Sequence, residues 1–322
     1  MAQNGLKFSH AVGYRGLAKI DGEVVLCTGG NINLTQDPIM GSGVWGAGYK
    51  NIAPIAWAWN YLQLEGSINY ELVASAELWS KLNNVAISNR ANKDGYSFTL
   101  FPDGKNGFDG KAWVSSLSFD ASEGSAVTGS LNFKGDPSKS NAIKAGQDGD
   151  DSATGLGGST VSKFAGPTIV PYWRTSVSIG GSENKKDIIS WNVSYNSDLQ
   201  FVKCCNMESE SPLSADYIMC GEATADGSYT IFKIADDFKP GNYHAKKTNL
   251  TFKINMDSES NEGSGYTGAI YNNSSNKQLK IPYALVNSGS TAMATGASYI
   301  TSEFSFTGVG DGTNAIVSMD DN

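Results

Sequence analysis

Any chemistry in this chain would have to be built from few parts. There are two histidines, His10 and His244, too few to supply both a catalytic triad and a metal site. His10 lies in an N-terminal stretch and His244 in a turn, where each reads as a surface residue. Carboxylates sit close together at Asp236-Asp237 and at Glu208 and Glu210, the raw material of a glycosidase acid pair. Neighbouring charges in a polar loop are ordinarily just solvated. The sequence has no nucleophile elbow, P-loop or HExxH. Gly41, Gly43 and Gly46 match G-x-G-x-x-G, but a dinucleotide site needs a buried strand before that motif and a helix after it. Here Pro38 precedes and Pro54 follows.

Metal chemistry fares no better. Cys27, Cys204, Cys205 and Cys220 show no C-x-x-C spacing and read as reduced thiols of a protein folded in a cytoplasm. Asp148-Gly-Asp-Asp151 hints at a calcium loop, but the EF-hand spacing and its bidentate Glu are missing. Trp45, Trp57, Trp59, Trp79 and Trp113 could line a sugar platform, as in a carbohydrate-binding β-sandwich adhesin. A β core plus a subunit interface accounts for the same tryptophans. The expectation is a protein that is not an enzyme, with no catalytic residue, metal or cofactor.

The elements that carry these residues are mostly strands. Ser130–Gly135 and Glu303–Gly308 each alternate apolar and polar residues and end on glycine, the period of a half-buried antiparallel strand. Leu131 and Phe133 share one face; Ser130, Asn132 and Lys134 share the other. In the second copy Phe304 and Phe306 oppose Glu303, Ser305 and Thr307. With 322 residues, 37 of them glycine, and 17% charged residues, the chain suits two domains of short strands and many turns. A net charge of −8 argues against wrapping nucleic acid, whose affinity comes from Lys and Arg on phosphates. The sequence contains no apolar run of transmembrane length and no signal-peptide pattern.

The two halves repeat. Residues 1–12 read as an N-terminal arm. Residues 13–135 form a first β domain, 136–166 a Gly/Ser/Asp-rich linker, 167–312 a second β domain and 313–322 an acidic tail. Tyr172–Gly181 aligns with Gly13–Gly22 at an offset of 159, matching Arg15 to Arg174 and Gly22 to Gly181. Gly227–Ala235 follows Gly66–Ala74 at 161, and the closing pair sits at 173. Asp21-Gly22 predicts a hairpin turn, Gly29-Gly30 a bend or bulge, and Pro282 an edge or bulge. Ser75 caps a helix of about three turns that buries Leu78, Leu82 and Val85. The equivalent helix in the second half is cut to about a turn by Pro240-Gly241. Asp37–Ala53 is a Gly-rich loop with Trp45 and Tyr49, a candidate contact arm. Arg15 and Arg174 are open to two readings: an inter-domain or inter-subunit ion pair, or surface arginines at the start of an edge strand.

This order resembles the tail-tube domains of tailed bacteriophages: a first hairpin, a long loop, a strand, a helix and closing strands, with Thr301-Ser-Glu-Phe-Ser-Phe-Thr-Gly-Val-Gly310 as the ending. The resemblance covers about 280 residues and rests on order and spacing. It implies a mainly β fold of two tandem tail-tube-like β-sandwich or barrel domains, each with a flanking helix or helical turn. It further implies a structural virion protein, the major tail tube subunit, whose stacked rings form the channel for DNA ejection. Two domains per chain imply homotrimeric, pseudo-hexameric rings. The implied partners are further copies of the chain and other tail proteins such as tape measure and terminator. DNA would only pass through the lumen, and no membrane partner is implied. On this reading Trp45, Tyr49, Arg15 and Arg174 are inter-subunit contact candidates. Ser130, Asn132, Lys134, Glu303, Ser305 and Thr307 are lumen or ring-strand candidates, with the edges of their strands pairing across domain boundaries. A distal tail or tube-terminator ring protein is the related alternative.

Overall fold

A computed structural model of the chain describes residues 17–40, 57–59, 63–101, 108–135, 169–183, 187–202, 217–232, 247–256, 276–292, 300–310 and 315–321. The first half contributes β1 (Leu17–Ile20), β2 (Glu23–Thr35), β3 (Pro38–Met40), β4 (Trp57–Trp59), β5 (Gln63–Glu71), α1 (Ala76–Asn83), β6 (Tyr96–Phe101), β7 (Phe108–Ser122) and β8 (Thr128–Gly135). The second contributes β9 (Thr175–Ile179), β10 (Ser182–Glu183), β11 (Ile188–Asn196), β12 (Leu199–Val202), β13 (Tyr217–Cys220), β14 (Thr224–Ile231), β15 (Lys247–Asn255), β16 (Asn276–Ala292), β17 (Thr301–Gly308) and β18 (Ser318–Asp321).

All pairings are antiparallel. In the first half they close a six-stranded barrel: β1 pairs β2, β2 pairs β5, β5 pairs β8, β8 pairs β7, β7 pairs β6 and β6 returns to β1. The second half repeats this circuit, with β9, β14, β17, β16 and β15 standing for β1, β5, β8, β7 and β6. Together β10 and β11 take the place of β2. Even the irregularities coincide. Asp21-Gly22 (φ 49° and 84°) and Gly180-Gly181 (φ 61° and 83°) make the same two-residue turn, whose left-handed residues match strand twist. A bulge between Cys27 and Gly29 recurs between Ile188 and Ser190, and one between Val114 and Ser116 recurs between Val286 and Ser288.

Alternation along the strands fills each barrel. Phe98, Phe108 and Phe133 stack inside the first, with centroids 5.2 and 5.5 Å from Phe133. Trp191, Phe252 and Phe306 gather in the second at 4.9 and 5.9 Å. Phe133 lies over Gly66 and Phe306 over Gly227; a Cβ at either glycine would come within 2.4 and 2.6 Å of those rings. The glycines are therefore required by close approach of an aromatic neighbour.

The capped helix forms as its sequence dictates. The Ser75 Oγ accepts from the Leu78 N–H, and Leu78, Trp79 and Leu82 are buried. It continues into a π-turn over Asn84–Ser88, burying Val85 and Ala86. Trp79 meets Phe119 on β7 at 5.6 Å, and Lys81 pairs with Asp21 at 2.9 Å. Pro282 falls where two residues of β16 oppose one of β15, a bulge.

Other expectations are corrected. The strands β8 and β17 do not cross a domain boundary: each is paired on both edges inside its own barrel. The crossing is made by β7, whose Ser116–Ser122 pairs with Ser190–Asn196 of β11, so a single 14-stranded sheet runs through both halves. The acidic terminus is no free tail, since β18 pairs with Lys277–Lys280 of β16 and buries Val317 and Met319. Ile169–Tyr172, placed by sequence in the second domain, is stitched into the first barrel. The Val127 N–H donates to the Val170 carbonyl, and the Val170 N–H donates to that of Leu72. Residues 1–12, the linker 136–166 and the expected helical turn near Pro240 lie outside the described residues.

Candidate assembly surface

Where β2, β5, β8, β7, β11, β14, β17 and β16 run side by side, their outward residues make one polar face. Side-chain bonds bridge it from strand to strand. The Ser67 Oγ donates to Asn31 Oδ1 (2.9 Å), Asn132 Nδ2 to Ser116 Oγ (2.7 Å) and Asn192 Nδ2 to Ser228 Oγ (2.8 Å). At the far end Asn287 Nδ2 donates to Thr307 Oγ1, which donates to Asp226 Oδ1 at 3.0 and 2.7 Å. The candidates Ser130, Asn132, Lys134, Glu303, Ser305 and Thr307 all stand on this face, half-buried or exposed. Its carboxylates include Glu65, Glu71, Asp120, Asp226 and Glu303; Lys134 stands among them, paired with Glu65 at 3.3 Å. Burial raises the Asp120 carboxyl above its ordinary range. An exposed acidic face of this kind repels phosphate anions.

The face is continuous because the internal seam joins the barrels without a break. Its register sets Tyr195 against Leu117, Val193 against Phe119 and Asn192 against Asp120. The seam is clasped at one end by Ser197, which is fully buried. Its N–H donates to the Ser115 carbonyl and its Oγ to the Val114 carbonyl, both at 2.8 Å. Ser115 is the bulged residue of β7, and the bulge turns its carbonyl to this neighbour. Arg90, beyond the π-turn, donates from Nη1 to the Tyr195 hydroxyl at 3.1 Å. Burial pushes the Tyr195 phenol up, and the Arg90 cation opposes that shift.

Each half also carries a separate two-stranded hairpin stem. β3 pairs β4, and β12 pairs β13 in the equivalent register. The expected contact loop Asp37–Ala53 therefore begins as a strand. In the second stem Phe201 meets the buried Trp113 ring of β7 edge-on at 6.0 Å, so this stem packs on the first barrel. Trp79 and Trp113 are both buried, so neither can serve a sugar platform.

Trp45, Tyr49 and Arg15 lie outside the described residues, as do His10, His244, Asp148–Asp151, Glu208, Glu210 and Asp236-Asp237. Arg174 is no surface arginine: it ends a 3-10 turn, is 6% exposed, and its guanidinium stands 5.3 Å from the Trp173 ring. Among the described residues, no group of His, Cys, Asp and Glu could hold a metal, and no helix is long and apolar enough to cross a membrane.

The two residues that clasp the seam, Ser197 and Arg90, were not singled out from the sequence. The available signal was strand length. β7 has 15 residues against 6 in β6, and β16 has 17 against 9 in β15, so each long strand overhangs its short neighbour. No family model matches the chain, and no curated protein matches it.

Proposed function

We propose that this chain is a structural virion protein, the major tail tube subunit of a tailed bacteriophage, assembling into stacked rings around a channel for DNA. The observation that carries the reading is the internal seam: two barrels of one plan are already joined edge to edge with their polar faces continuous. Ring closure by further copies would remove the remaining sheet edges, which an isolated β protein must otherwise protect. With two barrels per chain, three chains make a pseudo-hexameric ring. The polar face lines the lumen, and its carboxylates let DNA slide past without sticking. Tape measure and terminator proteins are the expected partners in the tail.

Negative-stain microscopy of the purified protein tests this. Stacked hollow rings support the tube reading. Single rings that do not stack move the chain to the distal tail or terminator alternative. Monomers at every concentration contradict both.

A further inference from the structure

The internal seam leaves its two halves available elsewhere in the chain. β11 is the counterpart of β2, since Val193 opposite Gly227 repeats Ile32 opposite Gly66. The second half of β7 is likewise the counterpart of the second half of β16, since Ser118 opposite Ser130 repeats Ser290 opposite Glu303. On β2, Asn31–Thr35 is paired only with β5; on β16, Ser288–Ala292 is paired only with β17, among the described residues. The edges that β11 and β7 spend on each other are thus open at these equivalent positions.

Burial points the same way. Val193 and Tyr195 are 2% and 5% exposed in the internal seam. Their counterparts are half-buried Ile32 and Leu34, the latter 44% exposed. On β16, Ser288, Gly289 and Ser290 are exposed, where their counterparts Ser116 and Ser118 are half-buried and Leu117 is buried. An apolar edge residue and an unpaired run of backbone N–H and C=O groups are the features that strand addition satisfies.

We propose that the occupant of each edge is a second copy of this chain. Asn31–Thr35 of one copy pairs antiparallel with Ser288–Ala292 of the next, in the register of the internal seam. That register sets Asn33 against Ser290, as Ser194 faces Ser118, and Leu34 against Gly289, as Tyr195 faces Leu117. The two edges differ, so the contact is head-to-tail and propagates until it closes. This rests on the ring reading above and adds the strands and register that build the ring.

Cysteine pairing tests it, because facing residues of an antiparallel pair lie within disulfide reach and residues one step apart point to opposite faces. The background replaces Cys27, Cys204, Cys205 and Cys220 with serine. In it, N33C with S290C should convert most of the chain under mild oxidation into dimers and closed trimers that reducing agent dissolves. N33C with G289C should stay uncross-linked. L34D should abolish wild-type assembly without changing the circular dichroism or melting temperature of the single chain. Stronger cross-linking of N33C with S288C, or a bond formed only within one chain, would overturn the register. If the wild-type protein forms rings but the N33C/S290C pair does not cross-link, the strand assignment fails while the ring reading stands. If no assembly forms at all, both fail.

Discussion

The internal seam and the two open edges share one backbone plan and differ in what fills it. Inside the chain, Trp191, Val193 and Tyr195 face β7; at the open edge the same positions hold Gly30, Ile32 and Leu34. Leu117 and Phe119 of β7 correspond to Gly289 and Thr291 of β16. Large side chains and the Ser197 and Arg90 clasps weld the first junction. The second sets Ile32 and Leu34 of one edge against small residues and backbone of the other. Covalent connection gives the internal seam a high effective concentration, so it forms with the fold and stays formed. A seam between separate chains gains less from each contact and depends on concentration. One architecture therefore supplies both a permanent joint and a reversible one.

The largest expected effects come from attacking what the two barrels have in common. Gly66→Val and Gly227→Val drive a side chain into Phe133 or Phe306. Each should cost about 3 kcal/mol, read from denaturant midpoints, and the two should resemble each other if the barrels are true repeats. A neutral result at either would break the equivalence.

Smaller effects separate the joints. Ser197→Ala removes the Oγ bond to the Val114 carbonyl while leaving the main-chain bond to Ser115, a loss of about 1 kcal/mol. The melting temperature of the unassembled chain should fall. An unchanged value would mean that the clasp does not hold the barrels together.

The smallest concerns the acidic face beside the seam. Asp120 has its pKa raised by burial, so the folded state binds its proton more tightly than the unfolded state does. The ionised carboxylate therefore costs stability, and the cost sets in as pH rises from the ordinary Asp value through the raised one. Asp120→Asn should raise thermal stability slightly at neutral pH and not at all below the ordinary Asp value. A gain that persisted in acid would point away from the charge.

Much of the barrel could be read before the structure. Asp21-Gly22 demanded a left-handed turn, alternation assigned the faces of Ser130–Gly135 and Glu303–Gly308, and Ser75 with Leu78 and Leu82 located the helix. These are local rules, satisfied within a few residues. The partner of each strand was not legible. Ser130–Gly135 and Glu303–Gly308 looked like boundary strands because they close each segment, yet closing a barrel places them in its interior circuit. The boundary role fell to Ser116–Ser122, whose alternation is equally good and whose overhang beyond β6 became meaningful only once β6 was seen to begin at Tyr96, opposite Ala112. The terminal Asp320-Asp321 read only as part of an acidic tail. Val317, Met319 and the ion pair of Lys280 with Asp320 at 3.0 Å draw that strand onto β16.

Native mass spectrometry of the assembled protein tests the central claim most directly. If the internal seam is one of two alternating joints in a closed ring, the smallest closed species carries the mass of three 34.1 kDa chains, and larger species are multiples of it. A smallest closed species of two or of six chains, or a chain that stays single at every concentration, would contradict the account.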